Sequence, residues 1–388
     1  MVIFRFRVFL CKRLHPILQS IAKSQALCHS ELRRRPKLKK DLMNRAGLTT
    51  LKQIAAATGV HTSTVSRALD PQKRHLVADD VAERIVHLAQ SLGYQPNRVA
   101  TSLRTGRSHL IGVLLPDIAN PVFAPILSGI AEALASEGYA PIVADAGNDS
   151  SQQIAFVDNL LNQRVDGLIL ATVSRDDDVV GYCLDRGMPV VLVNRFEFRD
   201  RVSSIVSDDE RGMRLAVDHL VSKGHRRIGH LSGPLNTSTG LLRRDGFSRA
   251  MARHRLPVHI EEASRFTREA GVAPARALIA GTRGITAIAA ANDLLALGIF
   301  DTMRTLGLRC PDDISVVGHN DMPLVDLISP PLTTIRIGHR EMGRGAAKLL
   351  LKEIDNRDGT AQHVILQPEL IVRASTTALR MPSETKKR

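Results

Sequence analysis

The residues best suited to chemistry lie between Leu51 and Leu69. Leu51, Ile54, Ala55 and Thr58 recur at i, i+3, i+4 and i+7, the spacing of one helical face. Gly59 follows, a residue that can take the positive φ needed to end a helix and turn the chain. A second short helix is expected to bury Val60, Val65 and Leu69 and to turn Thr62, Ser63, Ser66 and Arg67 outward. Helix, glycine-containing turn and second helix make a helix-turn-helix. Short hydroxyl side chains let such a helix sit deep in a DNA major groove, and arginine can bond guanine bidentately. An ordinary helical hairpin would share the apolar spacing but has no use for the outward polar set.

Catalytic chemistry finds no comparable foothold. No glycine-rich phosphate loop follows the first apolar run after Ser108, and there is no G-x-S-x-G elbow or metal-ligand cluster. Asp145, Asp293 and Asp321 could serve as acids, but nothing pairs them with a base. The four cysteines, Cys11, Cys28, Cys183 and Cys310, have neither C-x-x-C nor metal spacing and suit a reducing cytoplasm. No enzymatic activity, cofactor or metal is expected. The net charge of +14 is a poor guide to partners, because residues 1–45 hold twelve Lys and Arg against two acids. No apolar run is long enough to span a membrane.

The elements that must position these residues follow from periodicity. Val81, Ile85, Leu88, Ala89 and Leu92 mark a third amphipathic helix ended by Gly93, closing a three-helix head over 47–94. Residues 95–107 have too few apolar side chains to fold alone and are expected to order against a partner. Beyond Ser108, apolar runs alternate with helical stretches. Strands are expected at Leu110–Leu115, Pro141–Asp145, Gly167–Ala171, Val190–Asn194 and Ser204–Ser207, then at Arg227–Leu231, Ala287–Ala291 and Ile314–Gly318. Helices are expected at Pro121–Glu137, Ser151–Gln163, Asp177–Arg186, Glu210–Lys223, Gly240–Arg255, Ala270–Ala280 and Leu294–Leu306. Continuous apolar strands separated by helices give parallel sheets covered on both faces. The fold class is therefore a small all-α helix-turn-helix domain followed by a two-lobed α/β core of two Rossmann-like parallel-sheet subdomains. Ligands of such sheets bind beyond the carboxyl ends of the strands, here between the lobes.

From about Thr50 to Thr377 the chain resembles the LacI/GalR family of bacterial transcriptional regulators. The matching pieces are Thr50-Leu-Lys-Gln-Ile-Ala55, Val60-His-Thr-Ser-Thr-Val-Ser-Arg67, Leu92-Gly-Tyr-Gln-Pro-Asn-Arg-Val-Ala-Thr-Ser-Leu-Arg104 and Pro116-Asp-Ile-Ala-Asn-Pro-Val-Phe123. Further along come Arg164-Val-Asp-Gly-Leu-Ile169, Gly224-His-Arg-Arg-Ile228, Ala291-Asn-Asp293, Asp313-Ile-Ser-Val-Val-Gly318 and Pro330-Pro-Leu-Thr-Thr-Ile335. The resemblance implies a core like the type I periplasmic binding proteins, with an N-lobe over about 108–207 and 337–366 and a C-lobe over about 208–336 and 367–377. It implies a cytoplasmic homodimer on a near-palindromic double-stranded operator, with affinity controlled by a small-molecule effector. Thr62, Ser63 and Arg67 occupy base-reading positions. Lys52, Arg98, Arg104 and Arg107 fall where phosphates are held, and Thr50, Thr64, Ser66, Asn97 and Ala100 complete the DNA-contacting set. Asn97–Arg104 would be a hinge helix and Leu103 its minor-groove wedge.

For the effector, the family pattern points to Asn120, Phe123, Asn194, Arg195, Arg243, Phe266, Asn292 and Asn320. Fork donors, amides and an aromatic face suit a sugar, sugar acid or sugar phosphate. Asn292 could instead only cap its helix, and Asn194 only satisfy a loop. Many sugar-binding members carry aspartate where Asn194 or Asn320 stands; amides there, with Arg195, Arg243, His319 and His339 nearby, lean toward an anionic effector. The sign of the response, inducer or co-repressor, stays open. A solute-binding protein would share the two-lobed body but needs a secretion signal and no helix-turn-helix. Residues 1–46 read as a solvated basic leader or an untranslated stretch, with Met43 the favoured start. The tail, 381–388, has no leucine heptad, which argues against a tail-driven tetramer.

Overall fold

The computed structural model describes residues 49–70, 73–94, 106–282, 284–356 and 360–379. They belong to two compact units divided near residue 100, taken here in turn. The expected hinge helix, with Asn97, Arg98, Ala100, Leu103 and Arg104, lies outside the described residues, as do the leader and the tail.

In the head, α1 (Leu51–Thr58) starts from a capping box in which Thr50 and Gln53 exchange hydrogen bonds, and Gly59 ends it at φ 71°. Helix α2 (Thr62–Ala68) and α3 (Asp79–Ser91) close a core of Ile54, Ala55, Val65, Ala68, Val77, Ala82, Ile85 and Ala89. Leu69 and Val60, expected in that core, are only half-buried, and Ala68 takes the inner place three residues after Val65. The Thr49 hydroxyl donates to the Leu92 carbonyl at 3.0 Å, tying the entry of α1 to the end of α3.

The core holds two sheets. Sheet A orders β11 (His363–Leu366), β5 (Ser203–Ser207), β4 (Val190–Val193), β3 (Gly167–Leu170), β1 (Leu110–Leu115) and β2 (Ala140–Asp145), all parallel. Alternation puts Ile111, Val113 and Leu115 under α4 (Phe123–Ser136) and α11 (His339–Asp355). Leu114, Leu168 and Leu170 face α5 (Ser150–Asn162) and α6 (Asp178–Leu184) on the other side. Burial on both faces is why these strands read as unbroken apolar runs.

Sheet B orders β12 (Glu369–Ile371), β10 (Thr333–Arg336), β9 (Ser315–Asn320), β8 (Ala287–Ala290), β6 (Ile228–Ser232) and β7 (His259–Glu262), with β12 antiparallel and the rest parallel. Helices α7 (Asp209–Ser222) and α8 (Ser238–Arg253) cover one face, α9 (Arg268–Gly281) and α10 (Asp293–Thr305) the other. The chain crosses between the lobes three times: from β5 to α7, from β10 to α11, and from β11 to β12. The sequence reading does not resolve β7, β10, β11, β12 or α11 as separate elements.

Helix α11 meets α4 backbone to backbone. A Cβ at Gly343 would fall on the Ile126 carbonyl, and one at Gly129 on the Arg340 carbonyl. We expect Gly343→Ala to destabilise the core by about 1–3 kcal/mol, since overpacking outweighs the gain in helix propensity. The midpoint of chemical unfolding at unchanged m-value measures it.

Candidate nucleic-acid interface and ligand cleft

The outward face of α2 begins at an unusual cap. His61 Nδ1 accepts from the Ser63 backbone N–H at 3.2 Å and lies 2.8 Å from the Ser63 hydroxyl. Ser63 therefore helps to start the helix as well as facing outward. Ser63 and Arg67 are exposed, as is Lys52 on α1; Thr50 is exposed but caps α1. Thr62, Thr64 and Ser66 are half-buried. The helix is held from behind by Val65 and Ala68, so its polar face is presented on a rigid support. Sequence reasoning missed His61, because histidine is not among the residue types preferred at an N-cap.

In the core, several of the sequence-predicted ligand residues sit at or just beyond the carboxyl ends of strands. Arg195 and Asn194 (φ 66°) follow β4, Asn292 follows β8, Asn320 (φ 112°) ends β9, and Phe266 follows β7. The Phe266 ring rests on Gly233, just past β6, where a Cβ would overlap it. Asn292 caps α10, its Oδ1 accepting from Leu295 N–H at 2.8 Å, while its amide nitrogen reaches the Phe266 carbonyl at 3.5 Å. Asn120 accepts from Val122 N–H at 3.2 Å and shapes the turn into α4. Phe123, whose ring was expected against the ligand, is 2% exposed and belongs to the N-lobe core. The lobes are bridged at this rim by Arg175 N–H to Asn236 O at 3.0 Å and Phe196 N–H to the Ser238 hydroxyl at 3.1 Å.

Two buried arginines dominate the electrostatics. Arg243, on α8, donates from Nε to Asp209 at 2.8 Å and from a terminal nitrogen to the Ala291 carbonyl at 2.7 Å. Burial alone would raise the Asp209 carboxyl, but the charge and hydrogen bond of Arg243 hold it below the usual carboxylate range. Arg195 donates to Asn148 Oδ1 at 3.1 Å and to the Thr172 carbonyl at 3.3 Å. Burial, with the Arg243 charge adding, pushes its guanidinium down to about 10, so it remains charged at neutral pH.

Burial, reinforced by Arg243, likewise pushes His319 down to about 4, a neutral imidazole. Its Nε2 lies 3.4 Å from Asp209, too poorly directed for a hydrogen bond. Burial raises the Asp293 carboxyl to about 7, although Thr334 Oγ1 and Met322 N–H both donate to it.

Nine buried side-chain polar atoms lack a partner among the described residues, and six of them belong to Thr172, Ser207, His319 (both nitrogens), Asn320 and His339. Thr172 follows β3, Ser207 ends β5, His319 and Asn320 end β9, and His339 opens α11. Such atoms are costly in a finished core, and these six lie at or just beyond the carboxyl ends of strands. Two surface pockets, of 150 Å³ beneath Thr377–Leu379 and 260 Å³ between Pro189 and Glu353, contain none of the predicted site residues.

Comparison with known proteins agrees with this division. Residues 50–97 match the sequence profile of bacterial regulatory proteins of the lacI family, and residues 217–376 that of a periplasmic binding protein-like domain. The HTH-type transcriptional regulator reg1 of Streptomyces lividans is 36% identical over 343 residues, covering 85% of this chain and 97% of its own. The chain belongs to the LacI family. Its relatives are named as regulators and repressors, not enzymes. The lac repressor dimer bound to operator and the anti-inducer ONPF superposes with a TM-score of 0.77 at 30% identity, covering 86% of this chain and 100% of that one. A complex of the regulator CelR with cellobiose gives 0.65 at 29% identity, covering 84% and 99%.

The buried histidines set the acid response. His219, His230, His319 and His339 are each pushed down to about 4 by burial. A depressed histidine contributes stability that is present above about 6.5 and is lost as pH falls toward 4. Asp293, raised to about 7, acts oppositely, losing stability as pH rises from about 4 to 7. Four groups outweigh one, so the core is expected to lose stability between pH 6.5 and 4. Urea midpoints at pH 7 and pH 5 measure it; a midpoint unchanged or higher at pH 5 would contradict the assignment.

Proposed function

We propose that the protein is a sequence-specific transcriptional repressor, acting in the bacterial cytoplasm as a homodimer on a near-palindromic operator. A small molecule of carbohydrate character, a sugar, sugar acid or sugar phosphate, binds between the core lobes and controls operator affinity. The observation that carries the ligand half is the gathering of unpartnered buried polar atoms at Thr172, Ser207, His319, Asn320 and His339. The operator and cellobiose of the solved relatives support the same pairing of partners. In this reading the head spans 47–94 and the hinge 95–107, and the core begins at 108.

On DNA, Thr62, Ser63 and Arg67 read base edges, while Thr50, Lys52, Thr64 and Ser66 steady the head. Asn97, Arg98, Ala100 and Arg104 hold the hinge against the backbone, and Leu103 wedges the minor groove. In the core, Asn194, Arg195, Arg243, Phe266 and Asn320 meet the ligand, with Asn120 and Asn292 shaping the loops that present them. Operator and ligand act on one equilibrium and are coupled reciprocally.

On a site recovered by repeated selection from random DNA, Arg67→Ala should weaken binding by about 1–3 kcal/mol and relax preference at one base pair. Equal loss on selected and random DNA would assign Arg67 to phosphates instead. Leu103→Ala should reduce bending of the selected site in a gel-phasing assay, and unchanged bending counts against the wedge.

A further inference from the structure

We infer that the ligand is a polyhydroxylated anion whose charged group is held by Arg195, a conclusion that rests on the reading of the cleft above. The two buried arginines differ in what surrounds them. Arg243 has a carboxylate counter-ion, Asp209, at 2.8 Å. Arg195, 6% exposed, is hydrogen-bonded through one terminal nitrogen to two neutral oxygens, on Asn148 and Thr172.

The nearby buried carboxylates are already engaged. Asp177 is the acid that acts on Arg195, yet its oxygens accept from the N–H groups of Ser174, Val179 and Val180 in capping α6. Glu197 pairs with Arg201, and Asp293 is bound by Thr334 and Met322. Among the described residues no carboxylate is in direct contact with the Arg195 guanidinium, and Asp177 acts on it only at a distance. A buried guanidinium bonded only to neutral oxygens is costly, and an anionic ligand supplies a direct partner. The neighbouring positions do not oppose it, since residues 194 and 320 are amides.

The other unpartnered groups call for hydroxyls. Thr172, whose carbonyl accepts from Arg195, leaves its own hydroxyl free. Ser207 Oγ, Asn320 Oδ1 and the neutral imidazoles of His319 and His339 are a mixed set of donors and acceptors. Hydroxyl groups satisfy either role, whereas an apolar or wholly anionic ligand would leave most of these atoms unpaired.

The test is thermal unfolding of the full chain with matched probes at equal concentration and ionic strength. Sodium gluconate, sodium galacturonate and glucose 6-phosphate are set against glucose and galactose. The expected result is that an acid raises the midpoint by a few degrees where its neutral counterpart does not. Arg195→Gln should weaken the acid by about tenfold or more and erase the difference, while Arg195→Lys, which keeps the charge, retains part of it. Whether hexonate, uronate or phosphate acts best identifies the anionic group. Equal stabilisation by neutral sugars, or an acid preference that survives Arg195→Gln, overturns the anion but leaves the cleft reading standing. No response to any of the acids also overturns it. Stabilisation indifferent to both Arg195→Gln and Phe266→Ala places the ligand elsewhere and overturns both readings.

Discussion

The core is organised around a buried ion pair. Arg243 and Asp209 are each about nine-tenths or more enclosed, and between them they join three elements: α8, the first turn of α7 and the end of β8. Removing one partner from such a pair typically costs about 3–5 kcal/mol, because the other charge is stranded away from water. An apolar pair could be as stable, so stability alone does not explain it. Its position does: Asp209 begins α7 directly after the first crossing between lobes, and the neutral His319 ring packs against Gly212 one turn further along.

Much of this was legible in the sequence, for identifiable reasons. Strands such as Leu110–Leu115 and Val190–Val193 are buried on both faces and leave an unbroken apolar signature. β7 is a half-exposed edge strand of His259, Ile260, Glu261 and Glu262, and its composition carries no such signal. β11 alternates exposed and half-buried residues at the other sheet's edge and is equally quiet. Helix α11 has a clear apolar stripe, but its place in sheet A's lobe depends on contacts with α4, more than two hundred residues earlier in the chain.

The ligand residues divide in the same way. Arg195 and Asn320 fall where their positions after strands place them, and Arg243 lies buried on α8. Phe123 does not, because a sequence pattern fixes a position and not the direction of a side chain; the ring turns inward among Val122, Ile126 and Ile130. Asn292 lends its oxygen to a helix cap. Thr172 and Ser207 carry no motif of their own, and only their unmet hydrogen bonds draw attention to them, whereas His319 and His339 are already placed near the cleft by the sequence. In the head the reverse holds: Arg67 is evident from spacing, while His61 is visible only as geometry.

The glycine contact between α4 and α11 has a mechanical consequence. At Gly129 and Gly343 carbonyls press against α-carbons, so at these points the two helices meet without a compliant side chain between them and resist sliding past one another. His339 is the first residue of α11, directly beyond the second crossing, and Arg243 acts on it across the buried cluster. A push delivered at that residue is therefore not absorbed locally; it turns a seventeen-residue shaft and the helix fastened to it. The N-lobe helices are thus joined to the strand ends where the unpartnered polar atoms lie.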